Sequence, residues 1–189
     1  MKTLRLVRST HYLVVAMSLL LGQSSLEAQQ SSSAAAEDCP IWMNIGMGGG
    51  STGVSLGTSL SYELESSLLT LRYIYNKEIE LLGDSTPWES VSDIGVLYGI
   101  MTKASYGMAS LSAGISTVRG VRRGGFIAKT GLFSTTYAEI RFSTAGIPLE
   151  GRLYWRTSSS FGIGIYVVGN LNDQKSFIAA QLSVEGTLW

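Results

Sequence analysis

A two-residue alternation between Ile147 and Asn170 restricts what this chain can fold into more than any other feature of its sequence. The segment reads IPLEGRLYWRTSSSFGIGIYVVGN. One of its alternating rows is apolar and includes Leu153, whereas the other contains glycines together with Glu150 and Arg152. Because successive side chains of a β-strand point to opposite faces of a sheet, the segment predicts two strands, each with one apolar and one polar face.

The same alternation recurs along the chain, and no helical period persists for more than a turn or two after residue 28. Eight strands are predicted, at about residues 41–48, 53–63, 67–76, 93–102, 105–116, 137–157, 161–170 and 176–189. The 189 residues suffice for one domain with a sizeable core. Charged residues make up only 15% of them, against about 25% in a typical soluble domain. This favours a chain whose main surface does not face water.

The composition of the polar rows indicates which face is enclosed. These rows are rich in Ser, Thr, Gly and Asn and poor in Lys, unlike a sheet surface that faces water. Their charges nearly cancel, which suits an enclosed space where an unpaired charge is costly. We therefore predict an all-β fold, an eight-stranded antiparallel up-and-down transmembrane β-barrel with a side-chain-filled interior. The predicted interior ionic cluster comprises Glu63, Arg72, Glu150, Arg152, Arg156 and Glu185.

The connections between the predicted strands differ in length. Short turns (LESS, KAS and SSS) join strands at one end of the barrel, and two long connections lie at the other end, as in outer-membrane barrels. The first long connection is acidic, with Glu78, Glu80, Asp84 and Glu89. The second contains four basic residues and no acid: Arg119, Arg122, Arg123 and Lys129. The two loops either pair across the barrel mouth, or the basic loop binds phosphates of lipopolysaccharide.

The N-terminal segment has the pattern of a secretory signal peptide. Basic residues precede the apolar run YLVVAMSLLLG, and the sequence LEA that ends at Ala28 is a suitable cleavage site. We predict a signal peptide at residues 1–28, a disordered linker at 29–40 and the barrel domain at 41–189, located in the outer membrane. Cys39 is the only cysteine, so no intrachain disulfide forms.

Several segments together resemble a known family. These are LLTLRYIYNKEI, SDIGVLYGI, YGMASLSAGIS, AGIPLEGRLYW and FGIGIYVVGNLNDQKSFIAAQLSVEGTLW, of which GIPLEG and GNLNDQKSF are the most specific. They are similar to the small, uncharacterised eight-stranded outer-membrane β-barrel family of Bacteroidota-type bacteria. The resemblance covers about residues 41–189. It implies an eight-stranded outer-membrane barrel and carries no established activity.

The sequence also limits the chemistry available. His11 is the only histidine, and it lies in the predicted signal peptide, which removes histidine-dependent hydrolysis and histidine metal sites. We expect no enzyme activity, no cofactor and no metal, and a structural or surface-interaction role. The expected partners are outer-membrane lipid, including lipopolysaccharide phosphates, and the barrel-assembly machinery. A net charge of zero indicates no nucleic-acid partner. The alternatives are a soluble periplasmic lipocalin-like barrel that binds a small ligand, and a narrow channel.

Overall fold

The computed structural model of the protein describes residues 41–79, 84–129, 134–158 and 160–188. The predicted signal peptide, the linker with Cys39, and residue 189 lie outside these ranges. The described residues form nine strands: β1 (Ile41–Gly50), β2 (Gly53–Leu64), β3 (Ser67–Lys77), β4 (Asp84–Thr86), β5 (Ser90–Ala104), β6 (Gly107–Lys129), β7 (Ser134–Arg156), β8 (Phe161–Leu171) and β9 (Phe177–Thr187). Within the same ranges, no α-helix has the length and hydropathy that a membrane-spanning helix needs.

The eight longer strands close into a ring. Each pairs antiparallel with its neighbours in chain order, and β1 also pairs with β9, where Trp42 is opposite Thr187. This confirms the predicted eight-stranded antiparallel barrel. The short strand β4 is the addition, since it lies parallel to the start of β7, with Asp84 opposite Ser134. It belongs to the connection between β3 and β5.

The two faces of the barrel wall have opposite polarity. Apolar side chains cover the outside, where Ile45 is 57% and Leu182 is 74% exposed. Polar side chains fill the inside, where Arg72 is 1% and Ser183 is 2% exposed. A barrel dissolved in water would need the reverse arrangement, because burial of apolar side chains is what drives its folding. An apolar outer band with a polar interior is the arrangement of membrane barrels.

The β6–β7 hairpin extends far beyond the boundaries predicted from the sequence. We expected a loop at residues 117–136, but β6 continues to Lys129 and β7 begins at Ser134. Pairing persists past register shifts between Arg123, Phe126 and Ala128. In this extension the apolar alternation is lost, because both of its faces lie beyond the apolar band on the long-connection side. A prediction that relies on one apolar face per strand therefore misses the extension.

A charge placed on the outer apolar face tests this assignment. Leu71 lies near the middle of β3 and is 54% exposed on the outside. Replacing Leu71 with Arg should destabilise the barrel in lipid by about 2–4 kcal/mol, as expected for a charge near the bilayer midplane. The measurement is urea unfolding in phospholipid vesicles, with Leu71→Val as the control. Equal stability of the two variants would contradict a lipid-facing position.

Candidate functional site: the ionic belt inside the barrel

Two arginines and three carboxylates form a belt across the barrel interior. This ionic belt consists of Arg72, Asp93, Glu150, Arg152 and Glu185, which come from β3, β5, β7 and β9. All five residues are buried, with no more than 4% of any one exposed. Each occupies an inward position of the two-residue alternation, so their convergence follows from the registers of the strands.

Arg72 makes the first set of contacts. Its guanidinium forms an ion pair with Asp93 and lies 3.9 Å from Glu150 Oε2. It also donates hydrogen bonds to the backbone carbonyls of Leu149 at 3.0 Å and Gly169 at 3.2 Å. Arg72 therefore joins three strands besides its own, and its charge is shared between two acids. A charge-assisted network of this kind compensates the loss of hydration that burial imposes.

Arg152 makes the second set of contacts. Its Nη2 lies 2.9 Å from Glu150 Oε1, and its Nη1 lies 3.8 Å from Glu185 Oε2. Hydroxyl groups accept its hydrogen bonds, namely Ser61 at 2.8 Å and Ser59 at 3.0 Å in β2 and Thr70 at 3.4 Å in β3. Glu150 thus lies between the two arginines and connects them into one network.

Tyrosine and glutamine side chains surround the belt. Tyr166 donates a hydrogen bond to Glu150 Oε2 at 2.7 Å, and the guanidinium of Arg152 lies 5.1 Å from the centre of its ring. Gln181 donates to Ser55 Oγ at 2.7 Å. A Cβ atom at Gly57 would lie 2.7 Å from Gln181 Oε1, so glycine at this position makes room for the amide.

Apolar clusters flank the belt at both ends of the barrel. Toward the long connections lies a cluster of Ile74, Val91, Val118, Tyr166, Val168, Phe177 and Ala179. Toward the short turns lies a cluster of Leu68, Met101, Met108 and Tyr154. Because apolar side chains fill the interior on both sides, the charges of the belt are separated from the two openings. Burial of the belt away from bulk water strengthens its ion pairs and raises the cost of breaking one.

The structure brings together four of the six residues predicted to form the interior cluster, namely Arg72, Glu150, Arg152 and Glu185. The other two lie near the short-turn end. Glu63 forms an ion pair with Lys103 at 2.6 Å, and Arg156 lies over the ring of Trp42 at 5.2 Å.

Asp93 was not predicted as a member of the belt. The sequence did contain a signal for its position inside the barrel. Asp93 precedes Ile94, which belongs to the apolar outer row, so alternation places Asp93 on the inner face.

The basic segment predicted as a lipid-binding loop is part of strand β6, and its four residues have different environments. Arg119 and Lys129 are exposed, and Arg122 is half-buried. Arg123 is engaged within the protein: its Nη2 lies 2.7 Å from Glu78 Oε2, and its backbone N–H donates to Glu89 Oε1 at 2.9 Å. The guanidinium of Arg123 is thus paired with an acid of the β3–β5 connection, as in the first of the two arrangements expected for these loops, and binding of lipid phosphate by the segment stays a prediction.

Ion pairs also connect elements across the long-connection end. Glu89 pairs with Lys175 of the β8–β9 connection. Burial acts to raise the pKa of Glu89, but hydrogen bonds from Lys175 and from the Arg123 amide outweigh it, so this pKa lies below its ordinary value. Glu80 lies outside the described residues, and only the backbone of Asp84 is described.

The geometry defines a class of protein: a closed eight-stranded barrel with an apolar outer wall and a filled polar interior. Solved structures with this fold include the following two. The N-terminal β-barrel domain of Pseudomonas aeruginosa OprF is 14% identical, with a TM-score of 0.53 over 77% of this chain and 95% of that one. Neisserial surface protein A is 12% identical, with a TM-score of 0.53 over 78% and 94% of the two chains.

These similarities show that the fold is that of small outer-membrane β-barrels. No protein-family model and no curated protein sequence matches the chain. Among the described residues, no group of His, Cys, Asp and Glu side chains has the arrangement of a metal site.

Removing one member of the belt should leave a buried charge without its partner. Arg152→Met is expected to cost about 3–5 kcal/mol of unfolding free energy. The double variant with Glu150→Gln should cost less than the sum of the two single changes, because the residues belong to one network. Unfolding in lipid vesicles measures both effects. Lys129→Met is the matched control, since this exposed residue should change stability by no more than about 0.5 kcal/mol.

The Glu89–Lys175 pair should make stability depend on pH. Because the pKa of Glu89 is lowered in the folded protein, ionised Glu89 stabilises the fold above its ordinary pKa, and the contribution is lost as pH falls through the folded value. Near pH 7, the free energy of unfolding of the wild type should exceed that of Glu89→Gln by no more than about 1 kcal/mol, as expected for a partly exposed pair. Unfolding in lipid vesicles at several pH values measures this difference. The difference should shrink in acid. A constant difference between pH 7 and pH 3 would contradict this role.

Proposed function

We propose that this chain is a non-enzymatic outer-membrane β-barrel with a sealed polar interior and a structural or surface-interaction role. The observation that carries the proposal is the polarity of the two faces of the wall, which is the reverse of that in a water-soluble barrel. Leu71 and its apolar neighbours face outward, and the ionic belt lies inside. In this proposal residues 1–28 direct export and are removed, residues 29–40 form a tether, and the barrel-assembly machinery inserts residues 41–189. The segments quoted above support assignment to the Bacteroidota-type family.

The chemistry of the barrel supports a non-enzymatic role. The proposed mature chain contains no histidine. The carboxylates of the belt are paired with Arg72 and Arg152 and are no more than 4% exposed, which keeps them away from a substrate at the surface. General acid–base chemistry requires a group within hydrogen-bond reach of a bound substrate.

The extended β6–β7 hairpin supports a role at the cell surface. It projects beyond the apolar band and exposes Phe126, at 64%, and Ile127, at 61%. Exposed apolar side chains on a projecting element are typical of interaction sites. The hairpin also carries Lys129, which adds positive charge to the same surface.

A narrow channel is the second candidate. Buried polar atoms without a hydrogen-bond partner in the interior favour it, among them Asp93 Oδ1, Glu185 Oε2 and both side-chain polar atoms of Asn76. Water that reached these atoms would satisfy them. The apolar clusters on both sides of the belt favour the sealed barrel instead. The lipocalin-like alternative would require an apolar lumen, whereas charged and polar side chains lie at the centre of this interior.

Fractionation and conductance measurements test the proposal together. Wild-type protein should be found in the outer-membrane fraction, begin after residue 28, and give no steady conductance in a planar bilayer. Replacing Leu68, Met101 and Met108 together with Ile74, Val91 and Val118 by alanine should remove apolar side chains on both sides of the belt and raise the conductance. Leu71→Ala, on the outer face, is the control. Recovery in the soluble fraction would overturn the membrane assignment, and steady conductance by wild type would favour the channel.

A further inference from the structure

The outward-facing side chains of β3, β5, β6 and β7 change from apolar to basic over successive cross-strand rows. The registers of these strands define the rows. The rows are numbered toward the long connections. The first two are Leu71, Val96 and Ile115, and then Tyr73, Ile94, Thr117 and Ala145. The third is Tyr75, Ser92, Arg119 and Ser143, and the fourth is Lys77, Ser90, Val121 and Arg141. The polarity of this wall therefore changes between Leu71 and Lys77 on β3 and over the matching positions of its neighbours.

Three cations lie in the upper two rows, and we call Lys77, Arg119 and Arg141 the basic rim. Among the described residues, no ion pair or hydrogen bond involves the guanidinium of Arg119. Arg141 is 81% exposed and donates through Nε to Glu139 at 2.6 Å, so its Nη groups remain available. The ammonium group of Lys77 lies 4.5 Å from the ring centre of Trp88. With Glu139 as the neighbouring acid, the rim has excess positive charge.

Hydroxyl groups accompany the guanidinium groups of the rim. An open concavity of about 380 Å³ is lined by Arg119 and Arg141 together with Tyr75, Ser90 and Ser92. Guanidinium and hydroxyl donors around one concavity fit a tetrahedral oxyanion, since arginine binds phosphate through two parallel hydrogen bonds. The concavity lies at the level of the upper two rows, and its remaining lining residues are Gly120, Val121 and Phe142.

The rim is confined to one side of the barrel. At the same end of the wall, β1, β8 and β9 present Gly49, Leu171 and Ile178 outward, and these residues carry no charge. A general preference for cations at the membrane boundary would have distributed them around the ring. Two of them, Arg119 and Arg141, instead line the same concavity, which indicates one ligand position.

We propose that the basic rim binds the phosphate group of an outer-leaflet lipid whose acyl chains lie on the apolar rows below. Arg119 and Arg141 bind the phosphate oxygens, Ser92 and Tyr75 lie beside them, and the row of Leu71, Val96 and Ile115 contacts the chains. This inference rests on the proposed membrane location. It differs from the loop site expected from the sequence, because Arg123 is excluded and Lys77 and Arg141 are included.

The test measures lipid retention by the full barrel. Purified barrel in detergent micelles is mixed with phosphatidic acid, which carries a phosphate monoester, or with phosphatidylcholine, and bound lipid is counted by native mass spectrometry. Wild type should retain phosphatidic acid in preference to phosphatidylcholine. Arg119→Gln should weaken this binding about tenfold, as should Arg141→Gln, because each removes a charge-assisted contact. Lys129→Gln, an exposed cation of the same strand above the apolar rows, should leave it unchanged.

Three results would overturn the inference: equal retention of both lipids, an equal loss in Lys129→Gln, or full competition by inorganic phosphate, which would identify a site for free anions. Insertion into vesicles is measured first, by protection of the barrel from protease. A barrel that fails to insert contradicts the proposed function, whereas one that inserts without preferring phosphatidic acid contradicts only the lipid site. If Arg119→Gln does not fold, Arg119→Lys should fold and bind with intermediate strength, because it keeps the charge and loses the bidentate geometry.

Discussion

Lipid offers no hydrogen-bond partners to a polypeptide backbone, and this constraint determines most of the structure. Every N–H and C=O group within the membrane must be bonded inside the protein, which a sheet achieves only by closing on itself. Here the pairing of β1 with β9 removes the last open edges. Once the wall is closed and its outside is apolar, the inward positions of every strand become the only place for polar side chains.

Those inward positions then have to satisfy one another. A filled lumen with Arg72 and Arg152 at its centre requires acids at matching depth, and Asp93, Glu150 and Glu185 supply them from three different strands. The belt therefore couples the registers of strands that are not neighbours in the sheet. A slip of one residue in β7 would turn Glu150 and Arg152 outward into lipid, so the belt adds specificity to the pairing as well as contacts.

The sequence predicted the strands and their faces where one face is apolar, because lipid imposes a strict alternation there. It predicted four belt residues for the same reason, since alternation alone places Arg72, Glu150, Arg152 and Glu185 inside. Partners were harder to predict. Glu63 pairs with Lys103 near the short-turn end, and only the stagger of the strands determines which depths meet. The extension of β6 was missed because neither of its faces meets lipid, so its pattern is not restricted in this way.

The seam between β1 and β9 has a consequence for how the barrel forms. Trp42 is opposite Thr187, so the contact that completes the ring joins parts of the chain that are almost as far apart in sequence as the domain allows. Contacts of such long range carry a large loop-closure entropy and form slowly. The hairpins on either side join near neighbours and face no such delay. Until this contact forms, the sheet has two free edges that other chains could pair with, so those edges need shielding while the barrel closes.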